Sequence, residues 1–410
     1  MRAAGNGHLD VVQVLVQNCG ADINVKDEDG ATALMKAAFK GHINVVRFLV
    51  NTCGAHVNTR DNDGDTALTW AAAESQLHVM GFLIKDCGAS LNGEDFRKAT
   101  AVVLNSHESH LTVVRFLVEG CGAKINITDK DGDTALIRAA RVGHLNVVMF
   151  LVLKCGADVN ETGKDGVVAL MAAAREGHLD VVRFLALKCG ANANAKGNDG
   201  DTALMWAAVE GQLHVVKFLV KKCGVSVDMK DVRRTTAVTW AAHEGHLDVV
   251  RFLVEDCRAN INVNDNPALR RAAREGHVDI VQFLANNCGT NINPKDDNGS
   301  TALMRAARNG HLNVLRIFVK DCGANISLKD KEGYTALIWT SQHGHQSTVR
   351  FLVTACGANV NIKGKNGATA VMVAACEGHL DVVRFLVKQC DADVNVKDNY
   401  GNTALMMAAP

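Results

Sequence analysis

The sequence predicts an all-α solenoid of tandem helix-turn-helix units, and columns of cysteine and glycine at one fixed spacing predict it. Twelve of the 13 cysteines, Cys19, Cys53, Cys87, Cys121, Cys155, Cys189, Cys223, Cys257, Cys288, Cys322, Cys356 and Cys390, follow one another at 34 residues, except for the 31 between Cys257 and Cys288. Of the 36 glycines, 29 occupy three columns of the same period: ten before the column of His8, ten after the Cys column and nine in turns such as Asp63-Gly64. A period of this length running through all 410 residues marks a repeat array of twelve registers, not the two or three globular domains that length alone suggests. Residues 1–410 are therefore expected to form a single array, with partial units at both ends and a shortened unit near 258–271.

Each element of the unit has a local cause. Thr66-Ala67-Leu68-Thr69-Trp70-Ala71-Ala72 reads as a short helix, helix A, whose Thr caps the first orphan amides through its hydroxyl. The Gly that follows, at 41, 143 or 177, suits a left-handed residue past a helix end. Helix B begins as in His178-Leu179-Asp180-Val181-Val182-Arg183-Phe184-Leu185, with Asp or Asn in its first turn facing the positive end of the dipole. The Gly after Cys closes helix B. The Asn/Asp-Gly stretch that remains has the turn chemistry of a tight hairpin or extended finger.

The recurring motifs Asp-Gly-x-Thr-Ala-Leu, Ala-Ala-x-x-Gly-His-Leu-x-Val-Val and Gly-Ala-x-Val-Asn resemble the ankyrin repeat, and the resemblance covers essentially the whole chain. It implies an ankyrin-repeat solenoid of stacked helix-turn-helix units with β-hairpin-like fingers. It also implies a non-enzymatic scaffold or adaptor that holds a protein partner on the concave helix A and finger surface. Two departures stand out. The period is 34 where the family shows about 33, through one extra residue before the Cys-Gly pair. The family's Thr-Pro-Leu-His is Thr-Ala-Leu-Met or similar here, which removes the motif His that braces the finger, while Thr remains in ten of twelve units.

Composition narrows the function classes. Forty-eight per cent hydrophobic and 21% charged residues are enough to bury a large core. Lys+Arg and Asp+Glu are both 44, which removes the charge footprint of a nucleic-acid binder. The longest apolar run is about seven residues, Val147 to Leu153, so no membrane insertion or secretory leader is expected, and the expected compartment is cytoplasmic or nuclear. Stacked helices lie about 8–10 Å apart, beyond disulfide reach, so the Cys column reads as small buried apolar residues. Cys376, in helix A, is expected as an exposed thiol.

No residue pattern supports catalysis, a metal or a cofactor. Ten of the 16 histidines fill the Gly-His column, where repetition indicates structure. His107-Glu108-Ser109-His110 and His243-Glu244-Gly245-His246 have the wrong spacing for a zinc site and cross the break between helices. The Asp-rich tips lack the bidentate Glu of a calcium loop. Asn126, Asn160, Asn298 and Asn325 begin glycosylation triplets without a secretory signal, and three of them lie in or beside the repeat's own Asn column.

A candidate binding surface comes from the helix A position two after Leu: Lys36, Trp70, Leu104, Arg138, Ala172, Trp206, Trp240, Arg271, Arg305, Trp339, Val373 and Met407. It holds all four tryptophans. A position that takes Lys, Arg and Trp alike is not fully buried, and Arg and Trp are the types enriched at interface hot spots. Glu74, Glu210 and Glu244 follow three tryptophans by four residues as an acidic rim, which suits a basic, aromatic-compatible segment of a protein partner. Two readings stay open: recognition by the aromatic faces, or packing of each Trp between neighbouring helices. The competing function is a regulatory inhibitor that occludes a partner enzyme's active site with its finger tips.

A longer period overlies the units. Asp95 to Val102 and Asp231 to Val238 are unusual finger tips 136 residues apart, as are Gln76 and Gln212, so a four-repeat block was duplicated and 65–125 and 201–261 are expected to present similar surfaces. Near Pro267 three finger residues are missing and Arg258 replaces the Gly after Cys257, which predicts a hinge or register break. The sequence starts and stops inside helix A, so a longer array, frayed ends or head-to-tail self-association is expected.

Overall fold

The computed structural model describes residues 1–89, 110–129, 131–261, 267–287 and 292–408. The finger at 95–102, Leu104, 107–109, the shortened finger at 264–266 and Cys288 lie outside the described residues. The chain forms two compact units, 1–203 and 204–410. Inside each, the same motif of finger, helix A, turn and helix B recurs. Among the described residues there is no β-strand; Thr128 and Thr134 form an isolated antiparallel bridge. The fingers are thus closed by turns rather than by hairpin ladders.

Helix A starts where the sequence places it. Thr66 is extended, with φ −106° and ψ 172°, and its hydroxyl accepts from Thr69 N at 3.4 Å. The same cap joins Thr32 to Met35, Thr134 to Ile137 and Thr301 to Met304. The third residue after each cap stands where the family carries His, and where it is Met or Thr it returns the bond. Met35 Sδ accepts from Thr32 N at 3.3 Å, Met372 Sδ from Thr369 N at 3.4 Å and Thr69 Oγ1 from Thr66 N at 2.7 Å. A thioether or hydroxyl acceptor thus replaces the missing imidazole, which the sequence alone did not show.

The stripe Leu68, Ala71 and Ala72 is at most 1% exposed. Paired alanines carry little side chain, so successive helices A approach closely and bury their leucines against one another. Helix B adds Val79, Met80 and Leu83, all fully buried. On its other side a cation of one helix B lies over the Phe of the next: Arg47 over Phe82 at 5.2 Å, Arg251 over Phe283 at 5.3 Å and Arg350 over Phe385 at 4.5 Å.

The extra residue of the 34-residue period becomes a wide helical turn. Helix B ends in an i→i+5 segment at Phe48–Thr52, Phe82–Asp86, Phe252–Asp256 and Phe351–Ala355, among others. Cys53 N donates to Phe48 O and Cys87 N to Phe82 O, each at 3.2 Å. One residue more per turn is a π-bulge, which lengthens the chain without altering the helix on either side. The next residue but one closes the helix, as in Ala55 N to Leu49 O at 2.9 Å. Among the described residues the Cys column follows this wide turn and, apart from the exposed Cys19, is half-buried, less enclosed than expected; Cys376 is exposed. Burial pushes the Cys121, Cys223 and Cys356 thiols up, which keeps them protonated.

The Gly-His columns lock unit to unit. His178 Nε2 donates to Arg141 O at 3.0 Å, His246 to Val209 O at 2.8 Å, His311 to Arg274 O at 2.8 Å and His379 to Gln342 O at 2.9 Å. A carbonyl only accepts, so each ring is held as the Nε2–H tautomer. Gly143 ends its helix at φ 86°, and a Cβ there would lie 2.5 Å from His178 Nδ1. The glycine is needed twice, for its left-handed backbone and for the ring of the next unit. Across the shortened unit the bond persists as His277 to His243 O at 2.8 Å, over 34 residues instead of 37. The helices on either side of the shortened finger therefore keep their register.

Burial, reinforced by the charges of His343, His311 and His379, holds His345 below the ordinary imidazole value of 6.5, against the opposing bond to Arg308 O. The neutral ring is favoured by the fold, so its contribution is complete above that value and is lost as pH falls below it. Unfolding near 340–380 is expected at lower denaturant at pH 5 than at pH 7.5. His345→Gln, using the residue found at Gln76 and Gln212, is expected to flatten that dependence; an NMR titration placing His345 at or above 6.5 would contradict the assignment.

Candidate protein-binding surface

The candidate column is united by a partner that the sequence reading missed. Nine residues before six of the donors, Lys36, Trp70, Arg138, Trp240, Arg305 and Trp339, stands an Asp that opens the finger turn. Asp61 N donates to Asp65 O at 2.9 Å, and its Oδ1 accepts from Asp63 N at 3.0 Å and Asp65 N at 2.7 Å. One carboxylate oxygen thereby shapes the turn. The second oxygen faces helix A. Asp61 Oδ2 accepts from Trp70 Nε1 at 2.8 Å, Asp231 Oδ2 from Trp240 Nε1 at 3.1 Å and Asp330 Oδ2 from Trp339 Nε1 at 2.7 Å.

Arginine and lysine fill the same role. Arg138 donates to Asp129 Oδ2 through Nη2 at 2.5 Å and Nε at 3.1 Å, and Arg305 Nη2 lies 2.5 Å from Asp296 Oδ2. Lys36 Nζ is 3.1 Å from Asp27 Oδ2. What looks in sequence like chemical variety is one requirement, a hydrogen-bond donor long enough to reach the finger. Where the column is Ala172 or Val373, the position nine before is Gly163 or Gly364, and no carboxylate needs a donor. Four positions break the pairing: Asp95 precedes Leu104, Gly197 precedes Trp206, Asn262 precedes Arg271, and Asp398, which precedes Met407, takes Asn402 Nδ2 at 3.2 Å instead. This also separates Trp70 from Trp206, its counterpart 136 residues on. Covariation of the two positions within the array was the available signal.

The rings are held as well as their N–H groups. Trp70 meets Phe39 edge-on at 5.5 Å with Lys36 Nζ 5.1 Å from its centroid, and Trp339 meets Tyr334 at 5.2 Å with Arg308 at 4.7 Å. Arg271 lies 5.2 Å over Trp240. Lys36, Trp70, Arg138, Trp206, Trp240, Arg271, Arg305 and Trp339 are all half-buried, while Glu74, Glu210 and Glu244 are exposed. Packing and presentation coincide here, because the contacts that fix each ring or guanidinium leave part of it facing solvent in a single orientation. Preorganised side chains lose little entropy on binding.

Neighbouring fingers are tied in the same way. Asn62 N donates to Asp29 O at 3.1 Å, Lys331 N to Asn298 O at 3.0 Å and Asn399 N to Asn366 O at 2.9 Å. The Asn column adds Asn192 N to Asn160 Oδ1 and Asn325 N to Asn293 Oδ1, each at 2.9 Å. The asparagines that resembled glycosylation acceptors therefore include rungs between units. No helix among the described residues is long and apolar enough to cross a membrane.

A family model described as ankyrin repeats in three copies matches residues 1–95, 101–197, 150–231, 170–265, 223–296, 269–364 and 355–410. Comparison with curated proteins returned no match. Ankyrin repeats are generally protein-protein interaction modules and typically non-catalytic. With stacked helix pairs, Thr caps and Gly-His turns in register and overlapping matches over nearly every residue, the chain belongs to the ankyrin-repeat family.

Proposed function

We propose that the chain is a non-enzymatic scaffold or adaptor of the cytoplasm or nucleus, in which residues 1–410 act as one array that binds a protein partner through helix A and the finger tips. The observation that supports this reading is the shared finger Asp. It holds Trp70, Trp240, Trp339, Arg138 and Arg305 half-exposed in fixed rotamers, each on the same face of its own helix A, with the exposed Glu74 and Glu244 following Trp70 and Trp240. Rigid aromatic and guanidinium groups of this kind supply much of the affinity at protein interfaces.

The shared Asp also supplies a fold-preserving test. Since Arg138 and Arg305 satisfy it as well as Trp does, Trp70→Arg, Trp240→Arg and Trp339→Arg together are expected to retain the circular dichroism and melting of the parent. A protein captured by the parent chain is expected to bind the triple variant at least tenfold more weakly. Equal capture would move recognition off the aromatic faces. A partner enzyme whose turnover falls on binding would favour the inhibitor instead.

A further inference from the structure

Helix B turns a polar row toward solvent in most units. The position two before Cys is polar in ten of the twelve, as at the exposed Asn51, Lys85, Lys221 and Thr354, and the position four earlier is Arg, Lys, Gln or Gly in eleven. Two neighbouring units depart from this. Helix Leu145–Leu153 carries Met149 and Leu153, one turn apart on one face, and helix Leu179–Lys188 carries Leu187 in the register of Leu153. Leu153 is 59% accessible, Leu187 54% and Met149 37%. Since Asn, Lys or Thr serves at the same position elsewhere, the packing of the array does not require leucine there.

A cavity of about 420 Å³ adjoins this row. Phe150 and Lys154, each one residue after Met149 and Leu153, line it from the helix, and Val118, Ala123 and Ile125 line it from the unit before. Apolar surface thus continues from the exposed row into a recess. Cations frame it: Lys154, Arg183 and Lys188 are exposed, and among the described residues none of the three forms an ion pair. The acids nearby are engaged. Glu119, at the edge of the cavity, is held by Arg115 at 3.3 Å, and Asp180 Oδ1 accepts from Val181 N at 2.9 Å.

We propose that this stretch of helix B is a second docking surface, which takes an acidic amphipathic helix of a protein partner. Leu153 and Leu187 stand on stacked helices, which lie about 8–10 Å apart. A helix laid across them presents its residues i and i+7 at a spacing of about 10 Å, from a rise of about 1.5 Å per residue. Its apolar stripe therefore meets both leucines, in the manner of a helix seated in a groove. Lys154 and Lys188 follow the leucines at the same spacing and receive carboxylates on the flank of that stripe. A second copy of the chain does not fit, because like faces would set Lys154, Arg183 and Lys188 against their own counterparts. The surface lies off helix A, which gives an adaptor one face for each of two partners, and the inference stands independently of the helix A column.

The test uses the full chain and a fluorescein-labelled synthetic helix with Leu at i, i+4, i+7 and i+11 and Glu on its other face. The same peptide with Ser for Leu, and the same peptide with Lys for Glu, are the other arms. Saturable binding of the Leu/Glu peptide is expected at physiological salt, roughly tenfold tighter or more than either other peptide. Leu153→Asn with Leu187→Asn, the residue the array carries at Asn51 and Asn286, is expected to lose that binding by roughly tenfold or more, with circular dichroism and melting temperature unchanged. Trp70→Arg, Trp240→Arg and Trp339→Arg together are expected to leave it as in the parent chain.

No binding to the parent chain, equal binding of the Ser or Lys peptide, or equal binding by the leucine double variant would overturn the assignment. Binding lost in the tryptophan variant but kept in the leucine variant would move the peptide to helix A and remove the second surface. Light scattering supplies the last arm. Parent and leucine variant are expected to have the same mass, whereas a dimer lost in the variant would assign the leucines to a second copy and overturn the acidic partner.

Discussion

Asp129→Ala is expected to destabilise the unit around 121–145 by about 2–4 kcal/mol. The substitution leaves the Asp131 and Asp133 amides without the acceptor that shapes their turn, at about 1 kcal/mol or more each. It also removes the bidentate partner of Arg138, in a pair whose side chains are only 16% and 8% exposed. Breaking a buried pair costs about 3–5 kcal/mol, but Arg138 keeps Asp131 at 2.8 Å, which reduces the loss. Asp129→Asn is expected to cost less than Asp129→Ala, because it retains the acceptor for the turn. Since a repeat array loses stability unit by unit, hydrogen exchange should accelerate in 121–145 before distant units respond. A loss below about 1 kcal/mol would show that the finger Asp does not organise its unit.

Gly143→Ala is expected to cost about 2–4 kcal/mol, more than Gly156→Ala at about 1–2 kcal/mol. Both glycines are left-handed, at φ 86° and φ 69°. They differ in what a methyl group would meet. At Gly156 there is nothing within 4 Å, so the cost is backbone conformation alone. At Gly143 the methyl would stand 2.5 Å from the His178 ring, and moving that ring breaks its 3.0 Å bond to Arg141 O. Urea unfolding of the two variants measures the difference. Equal losses would mean that the imidazole is not held by the turn before it.

The architecture was legible because the array states it many times. The Cys and Gly columns gave the period, Thr gave the caps of helix A, and Gly143 and Gly177 gave left-handed helix ends, at φ 86° and φ 83°. These are local rules of helix termini, and one unit predicts the next. The extra residue before Cys was visible as a count, but its shape was not, since a single added residue can enter a loop or widen a helix. The wide turn also explains why the Cys column is half-buried.

The candidate surface was only half legible. Helical spacing placed Trp70, Trp206, Trp240 and Trp339 on one face, but it cannot connect a helix to the finger before it. Asp61 and Trp70 are nine residues apart, outside any helical or strand periodicity, and only the parallel pairs Asp129/Arg138, Asp296/Arg305 and Gly163/Ala172 reveal the link.

The most direct test of the account is hydrogen exchange of the full chain alone and with a captured protein partner. The account predicts that protection concentrates in the finger turns and in helices A such as Ala67–Ala73, Ala237–Glu244 and Ala336–Gln342, and leaves helices B such as Leu247–Arg251 unchanged. Protection confined to helix B, with the fingers and helices A unaffected, would contradict it.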